Sequence, residues 1–297
     1  MKLRLFATCV VSAERLIALE RLLRSLETAA RNLAGRADVE LSLLIQGSAA
    51  PEGDGIALST PAFVKTSRTP EVVPLSVARN RLLDAASRAR AFDDDCLVAF
   101  PDDDCWYPEG ALEKVVEAFV GDPSLDFWFC RYGSSPTPVA EVDFAAAAPA
   151  KLRHVVRNAA SITIFFRGGL FAALGGFDED LGLGTRHPGG EDVDIAIAAW
   201  LRARRSRFLD EALIGHLDKS RNRRNRGRNF EAGLVMLARY AGSGAFCELA
   251  RKLMVGACLC ARGELSLSQF WRALGAMARA MTAGPAAGGR ASARRRD

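Results

Sequence analysis

The chain opens on a mostly apolar run, Leu3 to Val11, closed by Ser12. The run predicts a buried strand, and serine is a good residue to cap the helix that follows. Leu16, Leu19, Leu22, Leu23, Leu26 and Leu33 then recur at helical spacing, which predicts one apolar stripe facing a core. Val39, Leu41, Leu43 and Ile45 alternate with polar residues, the period of a strand, and Gln46-Gly47-Ser48 turns out of it. Together these segments predict a βαβ opening. A loop rich in Pro, Gly and Ser follows, then a short strand at Ala62 to Lys65. Ser76 is placed to cap a helix running from about Val77 to Arg90. Cys96 to Phe100 predicts a short buried strand stopped by Pro101. Pro108-Glu109 opens another helix, since proline is tolerated in a first turn. Phe127 to Arg131 and Ser161 to Phe166 predict two further strands. Gly175 to Gly190 reads as a glycine-rich loop, Glu191 as the start of a helix reaching about Arg204, and helical spacing continues from Asn229 to about Met281. Strands alternating with helices predict an α/β fold with a mostly parallel sheet flanked by helices, and a C-terminal helical extension.

Charge divides the chain. From Lys219 to the end there are 16 Lys/Arg against 4 Asp/Glu, whereas the residues before it hold 24 against 31. This predicts a main domain at 1–218, a basic amphipathic helical extension at 219–283, and a tail at 284–297 with no large apolar side chain to offset the entropy of ordering. A basic back end suits an anionic partner. The densest run, Lys219 to Arg228, has three readings: a solvated loop, a contact to a diphosphate donor or pyrophosphate-linked acceptor, or a contact to an anionic membrane. Phe246, Leu249, Leu253, Val255, Phe270, Trp271, Leu274 and Met277 are candidates to face lipid or the catalytic domain, and peripheral membrane association is the favoured reading. No apolar run reaches the roughly 18–20 residues of a membrane span. The start of the chain reads as a strand, too short for a signal segment with a cleavage site, so a cytoplasmic location is expected. The seven cysteines are odd in number and none has CxxC spacing, which predicts buried free thiols in a reducing compartment.

Two aspartate triplets allow an internal comparison. Asp93 to Asp95 precede the strand at Cys96 and read as a solvated turn; Asp102 to Asp104 follow it. In open α/β sheets ligands bind beyond the carboxyl ends of strands, so the second triplet holds the functional position. Clustered carboxylates repel one another unless a cation neutralises them, and a hard divalent ion with oxygen ligands does so. In this turn Asp102 and Asp104 project to one side and Asp103 to the other.

Phe100 to Pro108, Phe-Pro-Asp-Asp-Asp-Cys-Trp-Tyr-Pro, resembles the Asp-x-Asp segment of family-two glycosyltransferases of the GT-A fold. Leu75-Ser76-Val77-Ala78-Arg79-Asn80 resembles that family's Ala-Arg-Asn helix start, Gly175 to Gly182 its Gly-Gly-Phe-Asp-Glu loop, and Gly189 to Asp194 its Glu-Asp motif. The four occur in the family's order, and the resemblance covers about residues 3 to 218. It implies an inverting hexosyltransferase that moves a sugar from a nucleotide-diphosphate donor, with uridine the default base, to a lipid-linked or polysaccharide acceptor. Asp102 would lie near the donor sugar and ribose and contribute to the metal site. Asp104 would bind Mn²⁺ or Mg²⁺, with His216 a further ligand. Arg79 and Asn80 would line the nucleotide side, with Asp103 grouped among the donor residues. Gln46 stands where the family usually has Asp beside the nucleobase, and its amide still offers a donor and an acceptor. Asp192 is the implied catalytic base and Glu191 the runner-up, against the plainer reading that both carboxylates favour a helix N-terminus. His187 is a candidate to approach the acceptor. Trp106 and Tyr107 are balanced between stacking on a sugar ring and packing in the core.

Two other readings stand beside this one. A sugar-phosphate nucleotidyltransferase also uses Asp and Mg²⁺, but Ser12-Ala13-Glu14-Arg15 lacks the glycine-rich phosphate loop it would need after the first strand. A nucleic-acid binder would use the basic run, but no recognised binding motif accompanies it and none is expected as a partner.

Overall fold

The structure is a computed structural model that describes residues 1–47, 60–89, 92–217 and 223–283, without the side chains of 88, 89, 223–226 and 283. The βαβ opening forms as β1 (Lys2–Val10), α1 (Ala13–Asn32) and β2 (Asp38–Gln46). Ser12 caps α1 by accepting from the Arg15 amide at 3.2 Å. β1 and β2 pair in parallel with Leu5 opposite Leu41, and the period-two pattern sorts their side chains. Leu3, Leu5, Ala7 and Cys9 point into one apolar cluster and Phe6 into another.

The chain continues through β3 (Val64–Thr69), α2 (Leu75–Ala89), β4 (Cys96–Ala99), β5 (Cys105–Trp106), α3 (Ala111–Gly121), β6 (Leu125–Gly133), β7 (Ala148–Pro149), α4 (Leu152–Asn158), β8 (Ile164–Arg167), α5 (Gly168–Leu174), α6 (Glu191–Arg202) and β9 (Arg205–His216). Three helices complete the described chain: α7 (Arg223–Arg239), α8 (Phe246–Ala261) and α9 (Leu267–Ala283). The sheet runs in the order β3-β2-β1-β4-β8-β6-β9-β5, with β7 on β9. Parallel pairing joins β3, β2, β1 and β4. β8 is antiparallel to both β4 and β6, and β6 is parallel to β9. Thus β3, β2, β1, β4, β6 and β9 share one direction, and β8 is a reversed strand set into a mostly parallel sheet. Both faces are covered, as the alternation predicted. Leu16, Leu19 and Leu26 of α1 and Val115 and Phe119 of α3 bury one face. Ala78 and Leu82 of α2, Phe171 of α5, Ile195 of α6 and Phe230 and Leu234 of α7 bury the other.

Several expected boundaries move. Ser76 does not cap α2: it lies inside the helix, fully buried, and donates to the Leu181 carbonyl at 2.6 Å. Pro108 stands ahead of α3, whose N-cap is Gly110 at φ +86°. Helical spacing after Asn229 resolves into three helices that turn back on one another. The N-terminal of these, α7, belongs to the same apolar cluster as the sheet residues Phe100 and Phe166. Cys9, Cys96, Cys105 and Cys130 are buried free thiols, but Cys247 and Cys258 on α8 are exposed. Among the described residues no helix is long and apolar enough to cross a membrane. Most of the basic run at 219–228 and all of the tail at 284–297 lie outside the described residues or side chains.

Candidate active site

The strand ends of β4 and β9 build the centre of the site. β4 delivers Phe100 and Pro101, and a turn closed by the Cys105 amide on the Asp102 carbonyl at 3.2 Å follows. β5 pairs with the end of β9, which places Cys105 opposite His216. One ligand atom each of Asp102, Asp104 and His216 therefore lies within 4.8 Å of the others, and His216 Nε2 stands 3.1 Å from Asp104 Oδ1. The other ring nitrogen, Nδ1, is 2.6 Å from the Leu217 carbonyl. A backbone partner at one imidazole nitrogen fixes the ring and presents the other, as in metal sites. Two carboxylates and one imidazole form a donor set of the kind that takes Mn²⁺ or Mg²⁺. These three side chains fit such an ion and would hold it at the strand ends.

Asp103 is buried in an ion pair with Arg15 of α1. Burial raises its pKa, against the opposing pull of Arg15. Arg15 also stands 3.6 Å from Asp104 Oδ2. Burial works against the Arg15 charge, but Asp103 and Asp104 outweigh it and raise its pKa. Arg15 and Arg21 are the residues that sequence reading missed. A cation in the first turn of a helix opposes the macrodipole, and that misplacement was the available signal for Arg15. Arg21 donates to the Asp104 carbonyl at 2.9 Å, and its guanidinium lies 3.9 Å from the Trp106 ring centroid. Trp106 also lies close on Gly215, where a Cβ would come within 1.9 Å of the indole. Trp106 thus packs against an arginine and a backbone. Tyr107 is core, its hydroxyl 3.4 Å from the Ile162 carbonyl. A groove of about 920 Å³ runs along α1 past Ser12, Arg15, Ile17, Arg21 and Arg24 and reaches Asp104.

On the other side of Asp102 sits Arg79 of α2, only 2% exposed. Its guanidinium donates to Asp102 Oδ1 at 3.0 Å and to Asp192 Oδ1 at 2.8 Å, and lies 5.0 Å from the Phe177 ring centroid. Burial disfavours its charge, yet Asp192, Asp102 and Glu191 together raise its pKa. Arg79, expected to line the nucleotide side, bridges the acidic turn and the start of α6. Ser161 also donates to Asp102 Oδ1 at 3.3 Å. Glu191 is the first residue of α6, and burial, followed by the neighbouring Asp192 charge, pushes its pKa up to about 7.

Asn80 and Gln46, expected near the nucleotide, have their amides engaged elsewhere. Asn80 Nδ2 donates to the Phe177 carbonyl and to Glu179 Oε1, each at 2.9 Å, and its Oδ1 accepts from the Phe177 amide at 2.9 Å. It holds the Gly175–Gly190 loop against α2. That loop requires glycine at two close approaches: a Cβ at Gly176 (φ +116°) would meet Asn80 at 2.7 Å, and one at Gly182 (φ +103°) would meet Ser76 at 2.8 Å. Gln46 Oε1 accepts from the Val73 amide at 2.9 Å and is 2% exposed, so it pins the chain leading into α2. His187 stands 3.8 Å from Glu231 of α7, and burial lowers its pKa against the opposing pull of Glu231.

No protein-family model matches this sequence, and no curated protein matches it. Solved structures do. The crystal structure of S. aureus TarS 1-349 in complex with UDP-GlcNAc aligns over 95% of this chain and 82% of its own, with a TM-score of 0.61 and 15% identity. Longer TarS aligns with a TM-score of 0.55 and 17% identity, and this chain spans 43% of it. The mannosyltransferase PcManGT from Pyrobaculum calidifontis, in complex with GDP-Man and Mn²⁺, aligns over 99% of this chain and 88% of its own, with a TM-score of 0.51 and 15% identity. At such identities the likeness is one of fold. This chain has the α/β fold on which those nucleotide-sugar-binding proteins are built.

Proposed function

We propose that the protein is a metal-dependent glycosyltransferase, of the hexosyl-transferring, inverting kind, that moves a sugar from a nucleotide-diphosphate donor to a hydroxyl of a lipid-linked or polysaccharide acceptor. The observation that carries this reading is one connected set of side chains: Asp104 and His216 beside Asp102, and Asp102 joined through Arg79 to Asp192. Asp102, Asp104 and His216 are the residues to hold Mn²⁺ or Mg²⁺, which when bound supplies Lewis-acid stabilisation of a departing diphosphate. Arg15, Arg21 and Arg24 line the groove beside Asp104 together with Glu14 and Glu20, so it offers guanidinium donors for phosphate oxygens within a mixed-charge wall.

Asp192 takes the role of base. As the acceptor oxygen bonds to the anomeric carbon, the carbon–oxygen bond to the diphosphate breaks and the acceptor proton passes to the Asp192 carboxylate. Arg79 holds that carboxylate in place. Glu191, whose pKa lies near neutrality, is the second candidate for the same proton. The acceptor is placed at the cytoplasmic face of an anionic membrane, with the basic C-terminal region at its surface.

Isothermal titration with UDP and with GDP, each in Mn²⁺ and in EDTA, tests the reading. Metal-dependent binding of one nucleotide is expected, and Asp104→Ala is expected to abolish it. Tight binding by Asp104→Ala in Mn²⁺ would remove Asp104 from the metal site; no binding of either nucleotide by the unaltered chain would overturn the donor assignment.

A further inference from the structure

α8 and α9 pack on α7 and touch each other. Their inward faces are settled by Leu249 and Gly256 on α8 and by Ala273, Ala276 and Ala280 on α9, all buried. The other faces are unusual for a protein surface. Phe246 is 66% exposed, Met254 68%, Leu267 68% and Trp271 68%. Cys247 and Cys258 are exposed as well, and eleven residues of helix bring them within about 20° of one another on α8. Single exposed apolar residues are ordinary, whereas several large ones on two adjoining helices mark a contact surface.

Charge says which contact. Glu248 is buried and paired with Arg251 at 2.6 Å, so it offers no negative charge on the outward side. Arg262, Arg272 and Arg279 are exposed, Arg272 bonding Glu231 of α7 at 3.2 Å, and Glu264 between the two helices is half-buried. The chain beyond α9 adds Arg290 and Arg294-Arg295-Arg296 and contains no large apolar residue with which to cover Trp271 or Phe246. A second copy would set arginine against arginine. Apolar helix faces rimmed by arginine match a bilayer whose headgroups are anionic.

We infer that α8 and α9 form a docking face for an anionic lipid bilayer, with Phe246, Met254, Leu267 and Trp271 entering the headgroup boundary and the arginines meeting lipid phosphates. This rests on the reading that the acceptor is presented at such a membrane. Of the sequence-based set, Phe246 and Trp271 take the outer face and Leu249 packs in the core, and Met254 and Leu267 add to the outer face.

The native thiols report docking without turnover, so failure here is distinguishable from failure of glycosyl transfer. The full chain is labelled with a charged maleimide alone, with phosphatidylcholine vesicles, and with vesicles of equal phosphatidylglycerol and phosphatidylcholine; labelling at Cys247 and Cys258 is read by mass spectrometry. Anionic vesicles are expected to slow labelling at least about tenfold and to co-sediment the protein, and neutral vesicles to do neither. The double variant Leu267→Asp/Trp271→Asp is expected to lose both effects. Unchanged labelling in anionic vesicles overturns the inference. So does full vesicle binding by the double variant, which would leave the basic tail as the contact. Protection that rises with protein concentration in the absence of lipid assigns the face to a second copy instead.

Discussion

Arg79 carries two carboxylates on one guanidinium, and they come from opposite ends of the site. Asp102 follows β4, whereas Asp192 lies 113 residues from Arg79 in sequence, at the start of α6. A planar fork makes both bonds at once, which a single ammonium point does poorly. Removing one member of so buried a set leaves charge unpaired. The proposed roles separate by measurement. Asp192→Asn keeps the shape and loses most of the basicity, so donor affinity by titration is expected to change little while transfer falls by about 10²–10⁴. Retained transfer would move the base to Glu191. At this scale the sequence singled out Asp102 and Asp104 by their place after a strand and His216 through the family resemblance, and the structure brings the three together. The sequence was uninformative about Arg79, Asn80 and Gln46. Their residue types suit nucleotide and backbone alike, and what decides between them is a partner such as Phe177 or Asp192 delivered by a distant loop.

The Gly175–Gly190 loop and the start of α6 behave as one element because three neighbours hold them. Asn80 binds Phe177, Phe177 packs edge-on to Phe100 with centroids 4.8 Å apart, and Asp178 pairs with Arg239 of α7. Below that pair lies Asp194 of α6, buried, with the Tyr240 hydroxyl 3.3 Å from its backbone carbonyl. Burial pushes the Asp194 carboxyl up to about 7, with Asp178 adding to the effect and Arg239 opposing it. An acid that keeps its proton to about pH 7 in the fold, but releases it near pH 4 when unfolded, makes the native state the better proton binder in between. Stability is then greatest at the acid end of that window and falls as pH rises from about 4 to 7, by up to about 1.4 kcal/mol for each pH step of one. Glu191 contributes in the same direction, so thermal unfolding across this range is expected to show the decline and Asp194→Asn to reduce its slope by about half; an unaltered slope would place the titration on Glu191 alone. Helices and strands with strong periodicity were readable in the sequence. The reversed β8 was not, since strand direction leaves no mark on a short apolar run.

Across the whole molecule, charge marks a boundary near residue 218 but packing does not stop there. Phe230, Leu234, Leu237 and Tyr240 of and beside α7 are buried in the cluster that also holds Phe100, Phe166 and Ile195. Burying one large apolar side chain contributes about 1.5–3 kcal/mol, so these four together rival the entire 5–15 kcal/mol by which domains are stable. A chain truncated after residue 218 is therefore expected to lack a cooperative thermal transition and to bind hydrophobic dyes. A sharp transition in that fragment would show that α7 is dispensable to the catalytic fold. Composition reveals net charge along the chain, but which side of a helix meets the core is decided by all of its neighbours at once.

The reversed strand has a consequence for how the site comes into existence. β4 can complete its pairing only when β8 has been made, and Ser161, which bonds Asp102 across 59 residues, stands just ahead of that strand. Asp192 and His216 are later still. Non-local pairings of this kind order slowly during folding. A nascent chain halted before residue 161 carries the aspartate turn with Arg15, Arg21 and Arg79 but without Ser161, Asp192 and His216. The proposed site is thus assembled only after the chain has been made through His216, well after its aspartate turn has left the ribosome.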